Sequence, residues 1–568
     1  LLLHSSARVE VVGRKGVDEI KGLGMVNRGE RLAAGMDVLV CEGLAFDDSL
    51  FEGAGEGSDV IRKLGLKKGS KEWTEEQWSL VVLDKLFREW RSWKKSVYAA
   101  FTAGEKVFST TAEQEGGGGL SYGEVWSILF TDLYPRTAEV SFCPAHMREK
   151  SFELVDTFLT ALDDSAIADL RCYAPGPCWT AAAQSRARRE AKKAKENGSD
   201  VAESSGTKEE KKEEAEEERE RVKEPNAAMT KESVREELAR LCMIILFNSH
   251  GYHQHHVTFR QRGSEETGPA PRSDRVQGIF PKGAFFNHSC WPNCEFFVLS
   301  PAEGGAPDQL HVRTTRPVEV GEELTVAYID LLAPRTRRQL SLKEKYGFMC
   351  ACRRCAGEGP ADAIEADSLL AGLACRADAS NCGGVMTTTE EISSTGVMVC
   401  SGCRAEYDIS ANFKLPELMK EMFRTLDQLS AEYTSAMGLR DPRAREAKVL
   451  QILGQGEEAL DAATEVFHRC HFLVVLFTLR MALFTKGLPS AATKAHHYYE
   501  TLLKAAVRIF PPGHFFQSVL YLDDAAVLHQ MGQAYLARLS LRKGKELLAI
   551  NRGSAIAAST IERLAKSW

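Results

Sequence analysis

GIFPKGAFFNHSCWPNC (278–294), VRTTRPVEVGEELTVAYID (312–330) and KYGFMCACRRC (345–355) decide how this chain reads. The first contains an Asn-His-Ser-Cys turn. The second places a turn at Gly321 ahead of a strand in which Leu324, Val326 and Tyr328 share one face by the period of two. The third is a Cys-x-Cys-x2-Cys cluster that brings three thiolates from one short loop. Zinc takes four ligands in a tetrahedron with sulfur at about 2.3 Å, so a fourth must come from elsewhere. Cys290 of the Asn-His-Ser-Cys turn is the candidate, which makes a set of Cys290, Cys350, Cys352 and Cys355. Tyr346 and Phe348 stand just before the cluster, where a metal staple would hold them beside a narrow channel.

Working outward, a second set follows in Cys375-x6-Cys382 and Cys400-x2-Cys403, with glycines after Cys382 of the kind tight Zn–S loops use. With sulfur filling every position, both sets read as structural, leaving no place for a reacting water. Of the 15 cysteines, nine fall in the stretch from Cys290 to Cys403. Paired short spacings without a secretory signal favour metal over disulfides and point to a reducing compartment, cytoplasm or nucleus.

Upstream, Val9–Gly13 and Met36–Phe46 read as strands, Ile20–Val26 as a glycine-punctuated turn, and Gly35 as the end of another turn. Glu72–Trp93 and Phe152–Leu162 carry helical periodicity, interrupted by the glycines at 116–119. Residues 184–226 are nearly devoid of large apolar side chains and form either a solvated helix or a disordered linker. The basic front at Arg186–Lys195 is a nuclear signal, a patch for an anionic partner or, as such runs favour, part of that solvated linker. Val234–Ser249 is a helix. The histidines at 250, 253, 255 and 256 have irregular spacing and no nearby cysteine, which favours a surface hairpin or loop over a metal site. Downstream, Leu415–Tyr433, His471–Phe484, Ala495–Phe510 and Ser518–Ile550 are helical runs, forming either a degenerate tetratricopeptide-like stack or a plain bundle. Small residues at Ala525, Ala526, Gly532, Ala534 and Ala537 would let backbones approach. With 568 residues, 44% hydrophobic and 27% charged, the chain is long enough for several cores. A formal charge of −7 and no aromatic-interleaved basic surface leave no nucleic-acid footprint. No apolar run reaches membrane-spanning length.

The NHSCWPNC, GEELTVAYID and KYGFMCACRRC segments together resemble the SET and MYND domain family of lysine methyltransferases, with the SET domain's cysteine-rich post-SET tail. KGLGMV with LAAGMDVLV resembles the family's opening turn and strand, and ILFNS (245–249) its Asn-Ser segment. A MYND finger needs about seven cysteines and a histidine within roughly 40 residues. Only Cys143, Cys172 and Cys178 lie between Cys41 and Cys242, so that finger is not expected. The resemblance implies an α+β fold: a split SET β-fold with a pseudo-knot, a zinc-bound post-SET tail, and an all-α tetratricopeptide-like region. The expected divisions are 1–50 and 234–349 for the SET halves, 51–233 for a helical insert, 350–410 for the zinc region and 411–568 for the helical region. It implies S-adenosylmethionine against Lys21, Gly22, Leu23, Gly24, Asn248, Asn287, His288, Tyr328 and Phe348. Tyr328 would be the catalytic tyrosine, with Tyr346 as its neighbour in the lysine channel, and zinc would sit on Cys290, Cys350, Cys352 and Cys355. A lysine-bearing protein, from chromatin or cytosol, would be the substrate. The contrasting reading is a non-catalytic SET-fold scaffold that binds partners through its helices.

Overall fold

The computed structural model describes residues 9–15, 21–27, 31–42, 44–46, 63–64, 75–102, 129, 133, 140, 143–168, 170, 228–253, 275–299, 308–375, 382–387, 397–408, 415–486 and 488–566. The glycines at 116–119, the charged run at 184–226 and the histidines at 255 and 256 lie outside the described residues.

The catalytic-looking segments lie in small twisted sheets. Strands β1 (Val9–Lys15) and β2 (Lys21–Asn27) form an antiparallel hairpin, and β2 also pairs with β10 (Glu323–Val326). Ile20–Val26, expected as a turn, is therefore largely a strand. Gly22 and Gly24 sit opposite Arg14 and Val12, so cross-strand pairing overrides the turn signal of glycine. On its other side β10 runs parallel to β7 (Asn287–His288), giving the order β1-β2-β10-β7. Met36–Phe46, expected as one strand, is two. β3 (Asp37–Glu42) pairs with β9 (Gln309–Thr314), which also pairs with β8 (Cys294–Leu299). β4 (Leu44–Phe46) joins β6 (Arg275–Ile279) and β5 (Ser249–His253) in another sheet. The β5–β6 pair is the hairpin anticipated for the histidine-rich stretch.

Helices α1 (Glu75–Thr102), α2 (Ala145–Ala161) and α3 (Lys231–Asn248) pack on this assembly. α3 opens on Thr230, whose hydroxyl accepts from Ser233 N at 3.1 Å and so satisfies one of the helix's unpaired amides. Trp90, Phe87 and Phe158 share one continuous core with Phe280, Leu310, Leu324 and Val326. The described helices of the stretch expected as a helical insert thus share a core with the sheets.

The tail supplies a second core. Helix α4 (Arg335–Tyr346) ends on Gly347 in the left-handed region (φ +78°), whose N–H reaches Lys343 O. Helix α5 (Ala361–Ala371) leads into a four-stranded sheet of β11 (Leu373–Ala374), β12 (Val385–Thr387), β13 (Val397–Cys400) and β14 (Glu406–Asp408). Then come α6 (Leu415–Met437), α7 (Pro442–Thr464), α8 (Phe472–Thr485), α9 (Ala492–Ile509), α10 (Phe515–Gln530), α11 (Ala534–Arg552) and α12 (Ser554–Lys566), each packed on the next. α8 is apolar nearly all round and sits at the centre. Ser518–Ile550, expected as one helix, breaks at Met531–Gln533. Gly532 (φ +74°, with open space where a Cβ would stand) makes that turn rather than a helix contact. Close approach of α10 and α11 belongs instead to Gly544, where a Cβ would lie 2.8 Å from Leu522. Among the described residues no helix is long and apolar enough to cross a membrane.

The helical stack closes onto β8 and β9 through charged groups. Arg313 donates to Ile550 O at 3.0 Å and also to Asp37 and Gly35 O. Glu295 accepts from Phe515 N at 3.1 Å. The Arg552 guanidinium lies 3.8 Å from the Phe515 ring centre and 4.9 Å from that of Phe297, and 4.0 Å from Glu295. Burial pushes the Glu295 carboxyl up to about 7, against the pull of Arg552 and the Phe515 amide. A raised carboxyl pKa means the folded state holds the proton more tightly. Its contribution therefore falls as pH rises from about 4.5 through 7. Glu295→Gln removes that component. We expect the variant to gain about 3 kcal/mol relative to wild type between pH 4.5 and 8, at ~1.4 kcal/mol per pKa unit. Urea unfolding at several pH values measures this, and parallel curves for the two proteins would disprove it.

Candidate active site and metal centres

The turn at Gly347 delivers the chain from α4 into Phe348 and then Cys350, Cys352 and Cys355. There these meet Cys290, which lies in the segment directly after β7. All four Sγ atoms lie within 4.8 Å of one another. Cys290 Sγ stands 3.9 Å from Cys350 Sγ and 3.5 Å from Cys355 Sγ. These are not disulfide distances. Tetrahedral Zn–S bonds of about 2.3 Å place sulfurs about 3.8 Å apart, which the set fits. Cys290, Cys350 and Cys355 are buried.

The second set also assembles. Cys375 and Cys403 are 3.6 Å apart, and Cys382 and Cys400 3.5 Å. A Cβ at Gly384 would stand 2.6 Å from Cys400 Sγ, and one at Gly402 3.0 Å from Cys382 Sγ, so the knuckle needs both glycines. This set lies on the β12–β13 sheet, and Cys403 is exposed. The two groups thus have one chemistry and different access to solvent.

Beside the first set is an aromatic group. The Tyr328 ring centre lies 5.1 Å from that of Tyr346 and 5.4 Å from that of His288; Phe348 lies 6.5 Å from Tyr346 and 6.4 Å from His288. Leu324 and Val326 are buried as the strand period requires, but the strand ends at Val326. Tyr328 therefore stands in the bend beyond it, half-buried and packed against both cores. Its hydroxyl donates to Phe286 O at 2.6 Å, and the Tyr346 hydroxyl donates to Tyr328 O at 3.4 Å. Burial, then Tyr346 and Glu323, raise the Tyr328 pKa; burial raises that of Tyr346. Both hydroxyls stay protonated at neutral pH.

His288 links this group to the cysteines. Its Nδ1 accepts from Tyr328 N at 3.0 Å. Backbone N–H only donates, so Nδ1 is bare and the proton sits on Nε2, 3.3 Å from Cys290 Sγ. Burial, with Arg338 nearby, lowers the imidazole to about 4 and keeps it neutral. Asn287 Nδ2 donates to Glu323 Oε1 at 2.9 Å across the β7–β10 pair.

The structure thus brings together Asn287, His288, Tyr328, Tyr346, Phe348 and the first cysteine set. Lys21, Gly22, Leu23 and Gly24 join through the backbone of β2, in the same sheet as β10 and β7. Asn248 lies at the junction of α3 with β5, where its Nδ2 donates to Ile244 O at 2.8 Å. Sequence reasoning missed Asn293. Its Nδ2 donates to Glu323 O at 2.8 Å and its Oδ1 accepts from Thr325 N at 2.9 Å, sewing the cysteine turn to β10. Its place in the Pro-Asn-Cys triplet was the available signal. It also missed Phe286, which acts through a carbonyl that no side-chain pattern marks.

Residues 145–329 match the SET domain family model. The match begins with α2, inside the expected insert, and excludes the β1–β2 hairpin. The chain is 40% identical over 78 residues to the human histone-lysine N-methyltransferase SMYD3, covering 14% of this chain and 17% of that protein. It is 41% identical over 88 residues to the Arabidopsis thaliana histone-lysine N-methyltransferase ASHR2, covering 15% and 22%. With the Arabidopsis histone-lysine N-methyltransferase ASHR1 it shares 26% identity over 216 residues, 35% and 42% of the two chains. The chain thus matches about a fifth of the length of the first two relatives.

Proposed function

We propose that this chain, which carries a SET domain and is similar to SMYD-family proteins, is an S-adenosylmethionine-dependent protein-lysine N-methyltransferase. The observation that carries the reading is the Tyr328 hydroxyl. Its proton is committed to Phe286 O, and its ring is framed by Tyr346 and His288. An oxygen whose proton points away presents lone pairs to the other side. There it can accept from an amine N–H and stabilise positive charge as it grows on nitrogen.

In this reading the backbone at Lys21–Gly24, with Asn248, Asn287, His288 and Phe348, holds the cofactor. When bound, its sulfonium supplies the methyl group. The apolar walls of Tyr346 and Phe348 favour the neutral, nucleophilic form of the incoming lysine. They also hold the amine in line, an effect that can reach ~7–11 kcal/mol. The segment ahead of Cys290 passes through the loop that the tail closes, which would explain why one ligand of the first zinc stands so far from the other three in sequence. Zinc on both cysteine sets is structural and takes no part in the chemical step.

Calorimetry on zinc-loaded protein, followed by transfer of labelled methyl to histone and non-histone protein pools, tests the proposal. We expect cofactor binding at one site per chain and label on lysine. Zinc-replete protein that binds no S-adenosylmethionine would defeat it.

A further inference from the structure

Three charged side chains surround the first cysteine set, and the SET reading gives them no part. Arg338 of α4 is fully buried and Arg354, within the tail, is 2% exposed. Both are held by one carboxylate, Asp367 of α5. Arg338 makes a two-pronged contact with it, Nη1 to Oδ1 at 2.7 Å and Nη2 to Oδ2 at 3.0 Å. Arg354 shares Oδ1 through Nε at 3.1 Å and Nη2 at 2.8 Å. Each guanidinium also reaches the cysteines. Arg338 Nη2 is 3.9 Å from Cys355 Sγ, and Arg354 Nη1 donates to Cys290 O at 2.8 Å. Arg354 also lies 5.2 Å from the Trp291 ring centre.

Buried charges need partners. Two guanidiniums against one carboxylate leave a positive charge over if the thiols are neutral. Four thiolates around a divalent zinc carry two negative charges. The leftover positive charge and the metal-thiolate centre therefore answer each other. Resting on the zinc reading above, we infer that Arg338 and Arg354 are positioning residues that supply the counter-charge of the Cys290–Cys355 zinc centre. Asp367 orients them and limits how much positive charge they present. Because Arg338 stands in the helix that ends at Tyr346, the same charges fix the aromatic wall.

The order of effects separates charge from scaffolding. Removing an arginine lowers the positive charge facing the thiolates. Removing the Asp367 charge raises it, although Asp367 makes hydrogen bonds to both arginines. In chelator-driven zinc release from the full chain, we expect wild type to show a fast phase from the exposed cluster and a slow phase from the buried one. Arg338→Met and Arg354→Met should speed the slow phase by tenfold or more. Arg338→Lys should speed it less, and Asp367→Asn should leave it no faster than wild type. If Arg338→Met does not fold, Arg354→Met against Asp367→Asn makes the same comparison. Equal acceleration by Asp367→Asn and the arginine variants, or wild-type rates in both Arg→Met variants, overturns this inference alone. Wild-type protein with no zinc on the Cys290 set overturns the zinc reading and this inference together.

Discussion

Tyr328→Phe is expected to cut methyl transfer by ~10²–10³-fold while leaving S-adenosylmethionine affinity within a few-fold of wild type. The basis is the orientation of one proton. With the hydroxyl donating to Phe286 O, the phenol oxygen would, in the proposed reading, be free to accept from the lysine amine. Losing one such preorganised dipole in a dry site costs about two to three orders of magnitude in rate. The ring itself, with its contacts to Tyr346 and His288, is retained in phenylalanine. The stability cost is that of leaving a carbonyl unpaired, about 1–3 kcal/mol, so the variant folds. Because burial raises the Tyr328 pKa, tyrosinate does not contribute at neutral pH. A rise in rate with pH then belongs to the lysine amine and persists in the phenylalanine variant. Single-turnover transfer to a lysine peptide measures the effect. A rate within threefold of wild type would remove Tyr328 from its assigned role.

Cys290→Ser should be the more damaging change to the fold. Cys290 is the one member of its set that comes from the β7 side, and its neighbour His288 holds the backbone of Tyr328. Without its sulfur the tail would lose the tie to the sheet that the proposed zinc site provides. Structural zinc sites in small peptides contribute an apparent ~10–16 kcal/mol, so a fraction of that matches the ~5–15 kcal/mol total stability of a typical domain. We expect one zinc per chain instead of two, early proteolysis after Lys345, and loss of S-adenosylmethionine binding. Cys403→Ser removes the exposed centre and should leave cofactor binding within about threefold, because that lobe lies on its own small sheet. Metal analysis with limited proteolysis reads both. Equal loss of cofactor binding in the two variants would contradict the division of labour.

The cysteine sets and the aromatic group were legible because metal geometry and strand period write themselves into local spacing. Cys350, Cys352 and Cys355 need only a short loop, and Leu324 and Val326 need only the pleat. What local pattern does not carry is pairing at a distance. Gly22 and Gly24 look like turn residues until β1 lies beside them. Met36–Phe46 reads as one strand because nothing local marks that its two parts join different sheets. Gly532 reads as a packing residue inside a long helical run until its positive φ shows it to be a hairpin. Trp90 and Phe158 stand far in sequence from Phe280 and Leu324, yet all four belong to one continuous core. Nothing in the local sequence around Arg338 and Arg354 announces that Asp367 will cover them both.

Tyr328 touches both hydrophobic cores, one built on the sheets and one on the tail and helices. It works like a bearing between two bodies, and its play is set by whichever body is looser. Truncating Phe477 or Met481, in the middle of α8 and far along the chain, would widen the spread of tyrosine positions without altering a single group that meets the substrate. On the methyltransferase reading, the stiffness of a helix stack that does no chemistry would set how firmly that tyrosine is held.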